Sequence, residues 1–99
     1  MLRQLVKTMI EKTATIQNEQ GIHCRPASVI LNEMKGYTGD IHIFADGRGA
    51  KLMSVMGLLG LGLERGRTIT IRVDGPDEEA VCGSLVDLFE YNFDFPSNE

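Results

Sequence analysis

Long apolar stretches are missing from this sequence. No apolar run reaches the roughly 18 residues that a helix needs to cross the hydrocarbon core of a membrane. The opening residues, Met1 to Lys7, also lack the apolar core that follows the charges of a secretory signal peptide. The sequence therefore predicts neither a signal peptide nor insertion into a membrane.

Cysteine is scarce as well. Cys24 and Cys82 lie far apart, without the C-x-x-C or Cys/His spacing of metal sites. A secreted disulfide scaffold of this size would carry more cysteines. We therefore expect a cytoplasmic protein that binds no metal and needs no cofactor.

Basic residues are outnumbered by acidic ones. Ten Lys and Arg against 14 Asp and Glu give a net charge of −4, so the broad basic face that binds a phosphate backbone is missing. We expect no direct binding of nucleic acid. A length of 99 residues leaves room for one small domain, and 42% hydrophobic with 24% charged residues is typical of a globular protein.

Apolar periodicity predicts seven secondary-structure elements. Alternation indicates strands at Thr13 to Gln17, Asp40 to Phe44, Ala50 to Leu52 and Thr68 to Val73. Helical spacing indicates helices at 26–35, 54–61 and 77–91. The order βαββαβα predicts an α+β fold, in which a four-stranded antiparallel sheet carries all three helices on one face. Asp46 and Gly47 predict a tight turn between the second and third strands.

The segment Gly21-Ile-His-Cys-Arg-Pro26 joins the first predicted strand to the first helix. A histidine at a helix N-terminus lies beside free amide groups and the positive end of the helix dipole, which together attract a phosphoryl group. Arg25 can bind the same oxygens through two donors. We expect His23 to be exposed there. From these residues alone, a solvated loop histidine is the alternative.

With Ala27, this segment resembles the active-site signature Gly-Ile-His-x-Arg-Pro-Ala of the HPr phosphocarriers of the bacterial phosphoenolpyruvate-dependent sugar phosphotransferase system. Ser54-Val-Met-Gly-Leu-Leu-Gly-Leu61 resembles the second signature of that family. The resemblance implies an HPr-like open-faced β-sandwich. It covers residues 12–91, which leaves an N-terminal extension at 1–11 and a C-terminal tail at 92–99 that we expect to fray.

The resemblance also implies roles for individual residues. His23 would accept a phosphoryl group on Nδ1 from phosphorylated enzyme I and pass it to enzyme IIA, while Arg25 stabilises the transferred charge. HPr kinase/phosphorylase would phosphorylate Ser54 as a regulatory modification. The residues expected to dock onto partners are Cys24, Val55, Met56 and Leu59. The protein would then be a monomeric phosphoryl carrier and not an enzyme.

Several other functions stay open. A regulatory HPr-like protein would act mainly in signalling or catabolite control, with the same residues. A thiol or redox module would use Cys24, which neighbours His23. A plain interaction module would use the apolar second helix and leave His23 dispensable. Ser54 could serve only as a helix cap, because Met53 precedes it where many kinase substrates have Lys.

Overall fold

Strands and helices alternate along the chain in the computed structural model, which describes residues 9–93. The strands are β1 (Ile10–Thr15), β2 (Asp40–Ala45), β3 (Arg48–Lys51) and β4 (Thr68–Asp74). The helices are α1 (Cys24–Glu33), α2 (Val55–Leu59) and α3 (Glu78–Glu90). This order confirms the predicted succession of elements. Most of the predicted extension, at 1–8, and most of the predicted tail, at 94–99, lie outside the described residues.

The four strands form one antiparallel sheet in the order β1-β4-β2-β3. Alternate strand residues face the helices and are buried there: Ala14, Ile41, Ile43, Ile69, Ile71 and Val73. The helices contribute Ala27, Ile30, Leu58, Cys82, Leu85 and Phe89 to the same buried cluster. Because the two sets form a single core, the helices cover one face of the sheet. The predicted open-faced α+β architecture is confirmed.

The other face of the sheet is open and carries mixed polar and aromatic side chains. The guanidinium of Arg72 lies 4.7 Å from the centroid of the Phe44 ring, and His42 stacks near the same ring. A Cβ atom at Gly49 on the edge strand would overlap the Phe44 ring, so the ring covers the glycine. This face therefore holds His42, one of two histidines in the chain, apart from the helical layer.

A two-residue turn joins β2 to β3. Asp46 and Gly47 have φ angles of 51° and 76°. Positive φ at both central residues matches the twist of the strands that leave such a turn, and it is why Asp-Gly is favoured there. The predicted hairpin is confirmed.

The first strand differs from its prediction. Residues Thr13 to Gln17 alternate most clearly, but the ladder with β4 runs from Ile10, opposite Val73, to Thr15, opposite Thr68. Lys12 interrupts the alternation of apolar and polar residues in the first half of this strand. Its side chain lies on the inward face with Ala14 but ends in a charge. The strand thus begins within the segment expected to precede the domain.

The first helix also begins earlier than predicted, at Cys24. Pro26, which the sequence predicts near the first turn, occupies the third position of the helix. Proline is tolerated there because the first-turn N–H groups of a helix have no partner within it. His23 consequently occupies the N-cap position of α1.

Candidate functional site

The segment that carries His23 is held by main-chain contacts. Ile22 donates its N–H to the carbonyl oxygen of Leu63 at 2.8 Å. Gly21, with φ of 71°, lies so close to that oxygen that any Cβ would overlap it. Only glycine permits this approach. The backbone just before His23 is therefore fixed against a neighbouring loop.

His23 stands at the N-terminus of the ten-residue helix α1 in an extended conformation. The first intrahelical bond runs from the N–H of Ala27 to the carbonyl of His23 at 3.0 Å, and Pro26 has no N–H to offer. Cys24 and Arg25 therefore supply the amide N–H groups at this helix end. In the described part of the chain, the imidazole makes no capping hydrogen bond to α1. The site thus combines an imidazole with amide donors at the positive end of a helix.

The prediction that His23 is exposed is wrong, since its side chain is half-buried. His23 lines an open cavity at the surface together with Glu19, Gln20 and Phe93. Phe93 belongs to the segment expected to fray, yet it is only 9% exposed. Phe93 follows the end of α3 and thus reaches the cavity beside the His23 loop.

Arg25 is exposed, as its position in the first turn of α1 allows. Its Nη2 atom donates to the carbonyl oxygen of Phe93 at 2.7 Å. The N–H of Phe93 in turn donates to Oδ1 of Asn18 at 2.5 Å. Sequence reasoning missed Phe93 and Asn18, because residues 75 positions apart leave no local pattern.

Ser54 caps the second helix. Its Oγ atom accepts a hydrogen bond from the N–H of Gly57 at 3.0 Å, and the residue is exposed. The hydroxyl therefore satisfies an amide group that the helix itself leaves unpaired. Ser54 can therefore cap α2 and remain exposed to solvent at the same time.

An apolar patch surrounds Ser54. This α2 patch consists of Met53, Val55, Met56 and Leu59. Met53 and Met56 are 71% and 77% exposed, whereas Val55 and Leu59 are half-buried against the core. Exposed apolar side chains that lie together mark interaction surfaces, and flexible methionines adapt to different partners. The predicted docking residues thus differ in exposure, and Met53, which the sequence marks only for kinase recognition, belongs to the same exposed surface.

The two cysteines have different environments. Cys24 is exposed beside His23, whereas Cys82 is buried in α3 and its Sγ lies 3.5 Å from the carbonyl oxygen of Ile71. Burial raises the pKa of the Cys82 thiol, which keeps it protonated and unreactive. A dithiol mechanism that pairs the two would require α3 to open.

Within residues 9–93, no cluster of three or more His, Cys, Asp or Glu side chains could bind a metal ion. Over the same residues, no helix has the length and apolar character needed to cross a membrane.

Comparison with protein families finds a match over residues 10–91, to the family described as the PTS HPr component phosphorylation site. That range includes His23, Arg25 and Ser54. The HPr-like protein Crh of Halalkalibacterium halodurans is 33% identical over 82 residues, which cover 83% of this chain and 98% of the relative.

Solved structures share the fold. The phosphocarrier protein HPr of Bacillus anthracis matches with a TM-score of 0.78 at 29% identity, over 84% of this chain and 99% of its own. Crh of Bacillus subtilis, described as an intertwined dimer with a swapped domain, matches with a TM-score of 0.64 at 28% identity, over 72% of this chain and 82% of its own.

Proposed function

The chain belongs to the HPr family of the phosphotransferase system, and from that premise we propose that it carries a phosphoryl group on Nδ1 of His23. Phosphorylated enzyme I is the donor and enzyme IIA the acceptor. The observation that carries the proposal is the position of His23, which lines an open cavity at the N-terminus of α1, next to Arg25. Members of this family are phosphocarriers and not catalysts of small-molecule reactions.

The chemistry is an in-line exchange of one phosphorus–nitrogen bond for another. The lone pair on Nδ1 of His23 attacks the phosphorus atom of the donor phosphohistidine. As the new bond forms, the old bond breaks and its electron pair returns to the donor nitrogen. His23 must therefore carry its single ring proton on Nε2 when it accepts the group.

The surroundings of His23 suit the product of this step. The phosphoryl oxygens gain negative charge beside the amides of Cys24 and Arg25, where the positive end of α1 stabilises them. The guanidinium of Arg25 supplies further donors and a fixed positive charge. The product is a phosphorus–nitrogen bond and not a phosphate ester, so it stays labile. A carrier requires such lability to pass the group on.

The test of this function is incubation of the protein with enzyme I and phosphoenolpyruvate, followed by measurement of the intact mass. We expect a gain of one phosphoryl group that is lost in acid and retained in base, as a phosphorus–nitrogen bond on histidine requires. A mass that stays unchanged would contradict the proposal. A gain that survives acid would place the phosphoryl group on a hydroxyl side chain.

We propose that the α2 patch docks both enzyme partners, since it provides exposed apolar side chains close to a phosphorylatable serine. Phosphorylation of Ser54 by HPr kinase/phosphorylase would add about −1.5 to −2 charges at the edge of this patch. Docking of enzyme I would then weaken, and phosphorylation of His23 would slow. The exposed hydroxyl of Ser54 supports access by such a kinase.

Substitutions of Ser54 separate regulation from capping. Ser54→Asp is expected to slow phosphorylation by enzyme I while the melting temperature stays similar, because Asp also caps helices well. Ser54→Ala is expected to lose about 1 kcal/mol of stability with the cap and to keep a near-normal transfer rate. Transfer rate and thermal unfolding are measured on both variants and on the original protein. Equal transfer rates in all three would reduce Ser54 to a helix cap.

A second candidate function is regulatory, with signalling or catabolite control as the output and little sugar uptake. The similarity to the HPr-like protein Crh favours it. The imidazole at the start of α1 favours the carrier role, because a regulator that acts only through Ser54 does not need it. Transfer from His23 to enzyme IIA distinguishes the two.

A substitution of Cys24 separates the carrier proposal from the thiol hypothesis. Cys24→Ser is expected to leave the rate of His23 phosphorylation unchanged, because the amide of residue 24, and not its side chain, belongs to the proposed phosphoryl site. The rate of phosphorylation by enzyme I is measured for the original protein and for Cys24→Ser. Cys82 is buried and stays unchanged in both proteins. A loss of phosphorylation in Cys24→Ser would support a role for the thiol.

A further inference from the structure

Asn18 lies between β1 and α1 and is the one polar side chain that is completely buried within residues 9–93. Burial of an amide costs free energy unless its polar atoms are paired. Both ends of this amide are paired with backbone groups: Oδ1 accepts from the N–H of Phe93, and Nδ2 donates to the carbonyl of Gly21 at 3.2 Å. The side chain of Asn18 therefore joins two segments that are far apart in the sequence.

The same path of hydrogen bonds continues to Arg25. The carbonyl of Phe93 accepts a hydrogen bond from Nη2 of Arg25 at 2.7 Å. Gly21 precedes His23 by two residues and Arg25 follows it by two, so the path begins and ends in the segment that presents His23. Asn18 and Arg25 contribute the only side chains to this path, since Gly21 and Phe93 take part through their backbones.

The segment that accepts from Arg25 lies beyond the family match, which ends at residue 91. Phe93 is nonetheless held in place, because it is only 9% exposed and its ring packs edge-on against Tyr91, with the ring centroids 4.8 Å apart. Its backbone is thus a fixed acceptor for the guanidinium. Membership in the family does not by itself provide this acceptor.

We propose that Asn18 is a positioning residue that orders Arg25 for phosphoryl transfer to His23. The inference rests on the proposed function, which assigns the transfer to His23. Asn18 acts through the backbone of Phe93, because it holds the N–H of the residue whose carbonyl accepts from the guanidinium. Without the amide of Asn18, this buried N–H loses its partner, and the segment shifts toward water to regain one.

Order in the guanidinium of Arg25 has a chemical effect. An exposed arginine side chain has many rotamers, and fixing one of them costs free energy when the transition state forms. The bond to Phe93 restricts these rotamers beforehand. It uses one of the five guanidinium N–H donors, so the others remain for phosphoryl oxygens. Arg25 then enters the reaction with fewer rotamers to lose.

Asn18→Ala is expected to slow phosphorylation of His23 by enzyme I about three- to tenfold, the cost of ordering one flexible side chain. The effect depends on Arg25, so the same substitution in an Arg25→Ala background is expected to leave the rate nearly unchanged. Val73→Ala removes buried atoms from β4 and is the control for a loss of stability alone. It is expected to keep the original rate when all variants are measured well below their melting temperatures.

The position of Arg25 is also measured without any phosphoryl transfer. NMR spectra of the ¹⁵N-labelled protein report the guanidinium signals of Arg25 and the exchange of the Phe93 N–H with solvent. Asn18→Ala is expected to shift the Arg25 signals and to speed exchange at Phe93 about tenfold, and Asn18→Leu, which fills the volume, is expected to do the same. Asn18→Asp keeps an oxygen acceptor for that N–H and is expected to retain the Arg25 signals.

Thermal unfolding shows which variants of Asn18 are folded. Unchanged Arg25 signals in folded Asn18→Ala or Asn18→Leu would overturn the proposal, as would an equal loss of rate with and without Arg25. Altered signals together with a slower transfer that requires Arg25 support it. If the original protein accepts no phosphoryl group while the signals of Arg25 still depend on Asn18, the proposed function fails and the positioning of Arg25 stands.

Discussion

His23→Ala is expected to accept no phosphoryl group from enzyme I and phosphoenolpyruvate, while its melting temperature stays close to that of the original protein. The loss is complete because the imidazole is itself the acceptor. The fold survives because the side chain is only half-buried and contributes no capping bond to α1. Intact-mass measurement after incubation tests the loss of phosphorylation, and a thermal scan of the same preparation tests the unchanged melting temperature.

The second histidine provides the control for this experiment. His42→Ala is expected to accept the phosphoryl group at the original rate, because His42 lies on β2 on the open face of the sheet. An acid-labile phosphoryl group on His23→Ala would show that another residue is the acceptor. Failure of His42→Ala to accept the phosphoryl group would indicate that the acceptor lies on the open face of the sheet.

Arg25→Ala is expected to slow phosphorylation of His23 about ten- to a hundredfold. The guanidinium stabilises charge that develops on the transferred oxygens, and one lost charge-assisted hydrogen bond has an effect of this size. Its side chain is exposed, so the substitution leaves the core intact. Rapid-quench measurement of the phosphorylation rate, with Arg25→Lys as the variant that keeps the charge but not the two-donor geometry, checks the expectation.

Removal of Arg25 also frees the carbonyl oxygen of Phe93, which accepts a hydrogen bond from the guanidinium. The rate of phosphorylation is still expected to fall, because the guanidinium charge that stabilises the transferred oxygens is lost. A rate for Arg25→Ala that equals the original would contradict the role of the guanidinium.

Local pattern was sufficient for most of the fold. The alternation in β4 and the Asp46-Gly47 turn act over a few residues, and their physical signals survive in the sequence. The pattern failed at β1, where Lys12 interrupts an apolar face with a charged end. It also misplaced the start of α1, because Pro26 fits any of the first positions and marks the helix start only approximately.

The candidate site also has residues that local sequence motifs predict and residues that they do not. His23, Arg25 and Ser54 belong to short motifs, so the sequence could nominate them, although their roles remain proposals. Phe93 and Asn18 meet only after the chain has folded, and neither carries a motif. The sequence could not predict the cavity beside His23 for the same reason, since Phe93 lines it from the opposite end of the chain.

The measurement that tests the carrier role most directly is a chase. The protein is phosphorylated by enzyme I, separated from the donor and mixed with enzyme IIA from the same organism, and both intact masses are followed over time. The account predicts that the phosphoryl group leaves His23 and appears in equal amount on enzyme IIA. A phosphoryl group that stays on His23 until it hydrolyses, with enzyme IIA unmodified, would contradict the account.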